Sequence, residues 1–314
     1  MIIVTGGAGF IGSNIVKALN AKGIKQIIVV DSLKNPSKHL NLNGCTIEDF
    51  VDKEDFIKSL GQYKNIRTIF HLGACSDTME TDGRYMMKNN YEYSKALLDF
   101  ALLHNIDFIY ASSASVYGNG DSGFKEDPSC EYPLNIYAFS KYMFDNYVRN
   151  IFNYKKNLSS QICGIRYFNV YGYQENHKGR MASVAFHLMN QIKDKEPMKL
   201  FEGSQNFKRD FIFIEDAVKI NLFFFEKKVN GIFNCGTGKA QSFNDIALAL
   251  QKMNPKTEIK YIPFPDQLIG KYQGFTEADL TRLRKAGFTE NFNTVEEGVK
   301  KYYNQFIKTG GYLI

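Results

Sequence analysis

The segment from Ile2 to Asp31 places the strongest constraint on what this chain can fold into. Ile2-Ile3-Val4-Thr5 is a short apolar run that reads as a buried strand. It leads directly into Gly6-Gly7-Ala8-Gly9-Phe10-Ile11-Gly12. From Ser13 to Lys22 the apolar residues Ile15, Val16, Ala18 and Leu19 fall at helical spacing. A second apolar run, Gln26 to Val30, then ends at Asp31. Glycines at Gly6, Gly9 and Gly12 permit a tight turn, close backbone approach to a pyrophosphate, and close packing of helix on strand. The helix amino terminus offers unpaired N–H groups and a positive dipole to phosphates. An acid at the end of the second strand can bind an adenosine ribose hydroxyl. A glycine triplet alone is a weak signal, but strand, glycines, helix, strand and acid in register predict a dinucleotide-binding unit.

The same alternation continues. Strands are expected near 2–5, 26–30, 67–71, 107–112 and 161–166, and helices near 11–22, 53–60, 84–104 and 135–152. A βα series implies a parallel sheet with helices on both faces. After Asn169 the chain reads as irregular, until Asp210 to Cys235 again alternates strand, helix and strand. Thr309 to Ile314 reads as a loose tail. Its apolar end, Tyr312-Leu313-Ile314, is taken as disordered rather than as part of an interface.

Tyr137 and Lys141 are four residues apart in an expected helix and so share a face. A cation beside a phenol favours the phenolate, so the Tyr137 hydroxyl is expected to fall from its ordinary value towards working pH. Such a tyrosine can take or give a carbinol proton while a hydride leaves or arrives. Read alone, the pair is a surface tyrosine packing on a lysine stem. A second segment, Ala111-Ser112-Ser113-Ala114-Ser115-Val116-Tyr117-Gly118, follows the strand around 107–112. In open parallel sheets ligands bind beyond the carboxyl ends of the strands. A serine there can hold a substrate oxygen; the bland alternative is a serine-rich turn without a role.

The formal charge is +6, with lysines scattered and no nucleic-acid motif, so an anionic small ligand suits the chain better than a nucleic acid. The five cysteines are dispersed and form no C-x-x-C, which argues against a zinc site and a disulfide framework and fits a cytoplasmic setting. Cys75, after a strand, is read as small packing beside the cofactor site, not as a nucleophile. No signal peptide and no membrane-length apolar run is seen.

Together these parts resemble the extended short-chain dehydrogenase/reductase superfamily over nearly the whole chain. The segments Glu202-Gly203-Ser204-Gln205-Asn206-Phe207-Lys208-Arg209-Asp210-Phe211, Asn169-Val170-Tyr171-Gly172, His177-Lys178-Gly179 and Arg180-Met181-Ala182-Ser183-Val184-Ala185-Phe186-His187 sharpen the likeness. With them the chain resembles the bacterial ADP-heptose 6-epimerase family. That resemblance implies a Rossmann-type doubly wound parallel sheet with a smaller mixed α/β substrate-binding domain. Residues 1–168 would bind the dinucleotide, with 210–236 returning to that domain, and 169–209 with 237–314 would bind substrate.

The resemblance also implies an activity. The heptose C6 carries a hydroxyl and no adjacent carbonyl, so its C–H is not acidic. Transient oxidation to a 6-keto sugar removes the stereocentre, and hydride return to the opposite face inverts it. The ketone oxygen then occupies two places, which calls for two proton-handling groups. The family match puts these at Tyr137 and Lys178, with Lys141 and Ser113 assisting; read alone, Lys178 is a phosphate-binding or solvent lysine. Cofactor contacts are implied for Gly6, Gly9, Phe10, Ile11, Gly12, Asp31, Ser32, Lys38, Lys53, Leu72, Gly73, Ala74, Cys75, Ser76, Asn89, Tyr137, Lys141, Val170 and Lys178.

Substrate contacts are implied for Ser113, Asn169, Arg180, His187, Phe201, Glu202, Gly203, Ser204, Arg209 and Tyr272. Arg209 suits a bidentate clamp on the ADP pyrophosphate, or else a domain-bridging ion pair. His187, on an apolar helix, reads alone as a satisfied core histidine. Arg180 stands where some members carry a small polar residue. Asp31 favours NAD by charge, whereas Lys38 and Lys53 can neutralise a 2′-phosphate; NADP is the expected cofactor, tightly bound. The implied partners are ADP-heptose and further copies of the chain, commonly in a pentamer, with no nucleic acid and no membrane. The product would feed the inner core of lipopolysaccharide or lipooligosaccharide. A 4,6-dehydratase lacks support because Ala114-Ser115 replaces the family's Asp-Glu pair. A UDP-hexose 4-epimerase and a non-catalytic nucleotide sensor on the same fold stay open.

Overall fold

The computed structural model describes residues 1–155, 157–264 and 274–313. Seven parallel strands form the main sheet in the order β10-β6-β5-β4-β1-β2-β3. They are β1 (Ile2–Thr5), β2 (Ile27–Asp31), β3 (Asp49–Asp52), β4 (Thr68–His71), β5 (Asp107–Ser113), β6 (Ile162–Tyr167) and β10 (Gly231–Cys235). The helices between them are α1 (Phe10–Ala21), α2 (Lys53–Ser59), α3 (Gly83–Met86), α4 (Tyr93–Leu103), α5 (Ile136–Tyr154), α6 (Val184–Lys193) and α7 (Ile214–Lys227). A second sheet of three strands joins β7 (Asn169–Tyr171), β9 (Lys208–Phe213) and β11 (Ala240–Ser242); β8 (Met198–Phe201) pairs with β12 (Ile259–Ile262). Helices α8 (Phe243–Met253), α9 (Thr281–Lys285) and α10 (Val295–Thr309) complete the described chain.

Alternation along the strands divides the core. Ile2 and Val4 point into one cluster with Ile15, Val16 and Leu19 of α1 and Ile220 and Phe224 of α7. Ile3 points to the other face, among Phe56 of α2, Leu97 and Leu98 of α4, and Phe144 and Val148 of α5. Strands with both faces covered read as unbroken apolar runs, which is why β1 and β2 were legible. The edge strand β3, Asp49-Phe50-Val51-Asp52, was not expected, because it is half-exposed and bounded by acids. The single helix expected over 84–104 is instead α3 and α4 joined by a π-helical turn, Met87–Glu92. The stretch after Asn169 expected to be irregular holds β7, α6 and β8, and Asp210 to Cys235 alternates strand, helix and strand as expected, in β9, α7 and β10.

Helix α5 is tied to the sheet by buried charge. Arg166 of β6, fully buried, donates from Nε and Nη2 to Asp145 Oδ2 of α5 at 2.9 and 2.8 Å. Tyr110 and Ser112 of β5 donate to the same carboxylate at 2.9 and 2.8 Å. Glu131, which also binds Arg149, accepts from the same Nη2 of the guanidinium.

The last described residues are not loose. Gly310, with φ +68°, ends α10, and its carbonyl accepts from Asn176 Nδ2 at 2.7 Å. The Gly311 carbonyl accepts from Gln174 N at 2.9 Å, and Leu313 N donates to Gln174 Oε1 at 3.1 Å. These partners lie more than a hundred positions away, where no local sequence pattern points to them. None of the described helices is long and apolar enough to cross a membrane.

Removing one member of a buried ion pair strands the other. Asp145→Ala is therefore expected to cost roughly 3–5 kcal/mol of stability, read as a lowered guanidinium midpoint; an unchanged midpoint would show that the network carries no net stability.

Candidate active site

The strand order reverses between β1 and β4, with β2 following β1 to one side and β5 following β4 to the other. A crevice opens at such a point beyond the carboxyl ends of the strands. Here a cleft of about 1050 Å³ runs from the glycine loop to the second sheet. Gly6 has φ +67°, and a Cβ there would stand 2.7 Å from Gly73 N. A Cβ on Gly12 would stand 2.2 Å from Gly6 O. The loop can lie this low only without side chains, and it leads into α1, which has no side-chain cap and no acid in its first turn. This cradle fits a dinucleotide pyrophosphate.

Asp31 is buried at the end of β2. Its Oδ2 accepts from Ala8 N at 2.9 Å, and its Oδ1 accepts from Ser32 N at 2.7 Å and Lys38 Nζ at 2.9 Å. The acid thus braces the glycine loop and pairs with a lysine. Lys53 donates to Asn89, which the π-helical turn brings to the cleft wall. One residue on, buried Asn90 clamps Cys75, accepting from its N–H at 2.8 Å and donating to its carbonyl at 2.9 Å.

Asn135 caps α5 by accepting from Ala138 N at 2.8 Å, and the first turn then presents Tyr137. Lys141 is buried and donates to the Ala111 carbonyl at 2.8 Å. Burial lowers its amine to about 8, against the pull of Asp145. The expectation for Tyr137 is overturned. Its phenol is raised, because burial outweighs a hydrogen bond with Ser113, and the Lys141 amine is spent on a carbonyl rather than on the phenol. Ser113, at the end of β5, accepts from Ser115 Oγ at 2.9 Å.

Lys178 enters from the loop after β7. Its amine lies 4.9 Å from the centre of the Phe10 ring and 3.9 Å from Glu175 Oε2, and burial pushes it down. Asn41 links this loop to the glycine loop, donating to Ala8 O at 2.9 Å and Gln174 O at 3.1 Å.

The cleft is lined by Ser113, Tyr137, Lys141 and Lys178, and by every expected cofactor residue from Gly6 through Val170. Of the expected substrate residues, Ser113, Asn169 and Arg209 line it. The Arg209 guanidinium lies 5.6 Å from the centre of the Phe243 ring. Arg180 is exposed and pairs with Asp77 at 2.7 Å. His187 is exposed on α6, so the core reading of it fails. Phe201 ends β8 and Glu202, Gly203 and Ser204 follow it in a turn; none of the four is in the cleft lining. Tyr272 lies outside the described residues.

Sequence reading missed the supports. Glu175 and His71 gave no local signal. Asp145 did, since it is one further helical step from Lys141 on the Tyr137 face. His71 is bonded at Nδ1 to Thr5 Oγ1 (2.6 Å) and at Nε2 to Ser94 Oγ (2.8 Å). Ser94 gives its own proton to Asn90 O, so its oxygen accepts from Nε2, and the neutral ring that burial favours can take the Thr5 proton at Nδ1.

Residues 2–236 match the model of the NAD dependent epimerase/dehydratase family. The ADP-L-glycero-D-manno-heptose-6-epimerase of Brachyspira hyodysenteriae (strain ATCC 49526 / WA1) is 61% identical, covering 100% of both chains. Among solved structures, the Helicobacter pylori ADP-L-glycero-D-manno-heptose-6-epimerase superposes with a TM-score of 0.85 at 28% identity, over 98% of this chain and 96% of that one. The Thermotoga maritima UDP-glucose 4-epimerase with UDP-glucose gives 0.84 at 28% identity, over 98% and 99%.

Burial holds His71 at about 3 and His177 at about 4. The unfolded chain protonates both near 6.5. Below that value the unfolded state binds more protons, so stability falls on acidification through this window. His71→Asn should shrink the stability difference between about pH 7 and about pH 4.5; an equal difference in both proteins, by denaturant titration, would remove His71 as a source.

Proposed function

The chain belongs to the NAD dependent epimerase/dehydratase family, and we propose that it inverts C6 of the heptose in ADP-D-glycero-β-D-manno-heptose to give the L-glycero epimer. The observation that carries this reading is that one cleft is lined by a glycine cradle and by two separate proton-handling groups, Tyr137 and Lys178. The relative identical at 61% along its whole length supports the heptose over a hexose. The structural likenesses alone do not separate the two, since the heptose and hexose enzymes superpose about equally well.

A nicotinamide cofactor, when bound, supplies the hydride exchange at C6. The chain's own residues do the rest. The half-buried Tyr137 phenol, its pKa raised by desolvation, is protonated at working pH and suits a donor to a ketone oxygen. The lowered Lys178 amine suits an acceptor of the carbinol proton. Ser113, in hydrogen-bond reach of Tyr137, would hold the reacting oxygen. Lys141 fixes the helix face that carries the tyrosine, through the Ala111 carbonyl. Arg209, buried and on the cleft lining, suits the pyrophosphate of the substrate.

For the cofactor, the reading is NADP. Asp31 is engaged by Ala8, Ser32 and Lys38, so the charge facing a ribose 2′ substituent is offset by Lys38, with Lys53 on the cleft wall nearby. Residues 1–168 with 210–236 would hold the cofactor, and 169–209 with 237–314 the sugar nucleotide. The product would supply inner-core heptose, and the protein would act as a homo-oligomer.

Incubating the purified protein with ADP-D-glycero-β-D-manno-heptose, and separating the C6 epimers by chromatography, should yield the L-glycero form. No conversion with NADP or NAD supplied would sink the heptose assignment. Tyr137→Phe should lower turnover by about 10²–10⁴-fold with little change in KM; near-normal turnover would move proton transfer to another group.

A further inference from the structure

We propose that Glu175 is a positioning residue for Lys178, its buried carboxylate fixing the loop that carries the amine and supplying the countercharge against which that amine takes and gives its proton. The inference rests on the reading of Lys178 given above.

Glu175 is wholly buried. Its Oε2 accepts from Ser183 N at 2.6 Å, and its Oε1 accepts from Ser183 Oγ at 2.6 Å and Gly172 N at 3.4 Å. Ser183 is the cap of α6 and Gly172 follows β7, so one carboxylate ties both ends of the loop that bears Lys178. All these donors are neutral. The two backbone N–H groups fall on different oxygens, so both carboxylate oxygens are used, and a buried charge is costly unless a countercharge offsets it. The cation paired with Glu175 among the described residues is Lys178.

The groups facing the pair from the surrounding elements do not supply another countercharge. Tyr302 of α10 is held neutral, its phenol pushed well up by burial and by Glu175 itself. Tyr173 is likewise raised by burial and by Glu215. His177 is lowered to about 4 by burial and by Lys38 and Lys178, with Asp31 opposing. Phe10 offers only its ring face from α1. For the Lys178 amine, burial pulls towards the neutral form and Glu175 towards the charged one. A group that must accept a proton and later return it needs that balance.

The test is Glu175→Gln in the full chain. The Lys178 amine is titrated by trace acetylation with acetic anhydride across pH, read on its peptide by mass spectrometry. Loss of the carboxylate should lower the titration midpoint by about one unit, a tenfold change in proton affinity. In the epimerase assay the matching limb of the kcat profile should move the same way, with KM little changed. If Glu175→Gln does not fold, Glu175→Asp, whose charge is drawn back by one methylene, should give a smaller shift in the same direction. An unmoved midpoint in a folded variant overturns the proposal. The labelling needs no substrate, so a wild type inactive on ADP-heptose would sink the substrate reading while leaving Glu175 to be decided.

Discussion

The close approach of three backbone segments at the head of β1 governs this structure. Gly6 packs against Gly73 at a distance that no Cβ tolerates, and Gly12 packs against Gly6 O more closely still. These contacts set the loop low enough for α1 to aim its uncapped amino terminus at the crevice between β1 and β4. Asp31 and Asn41 then hold the loop through Ala8, one at its N–H and the other at its carbonyl. Everything that lines the cleft is arranged around that floor.

The second organising element is the stripe on α5. Tyr137, Lys141 and Asp145 follow one another at helical spacing, and each has a different task. Asp145 anchors the helix through Arg166, Tyr110 and Ser112. Lys141 grips the end of β5. Tyr137 is left facing the cleft. Such buried charge is weak support for net stability, because desolvation opposes attraction. What it does supply is direction: the guanidinium and carboxylate geometry admits one seating of the helix on the sheet.

Much of this was legible in advance where the physics is local. The buried strands announced themselves as apolar runs, the glycine spacing gave the turn, and Tyr137 and Lys141 needed only the period of a helix. The failures share a cause, which is distance along the chain. The Tyr137 phenol was expected to fall because its helical neighbour is a cation; Lys141 instead meets a carbonyl thirty residues upstream, and burial decides. The tail was expected to be loose because it ends the chain; its partners are Gln174 and Asn176. His187, a substrate contact by resemblance and a core histidine if read alone, is exposed on α6 and outside the cleft lining. Residue-by-residue placement of Phe201 to Ser204 came from resemblance, and no period or spacing bears on it.

The clamp between Gln174–Asn176 and Gly310–Leu313 gives the molecule an order of assembly. During synthesis the sheet from β1 to β6 can form as its strands emerge, since its partners are near one another in time. The loop bearing Lys178 emerges soon after and can take its ties to Asn41, Gly172 and Ser183, but those to Gly310, Gly311 and Leu313 wait for residues made more than a hundred steps later. A nascent chain can therefore hold a finished glycine cradle while the loop that carries Lys178 still lacks the last of its ties.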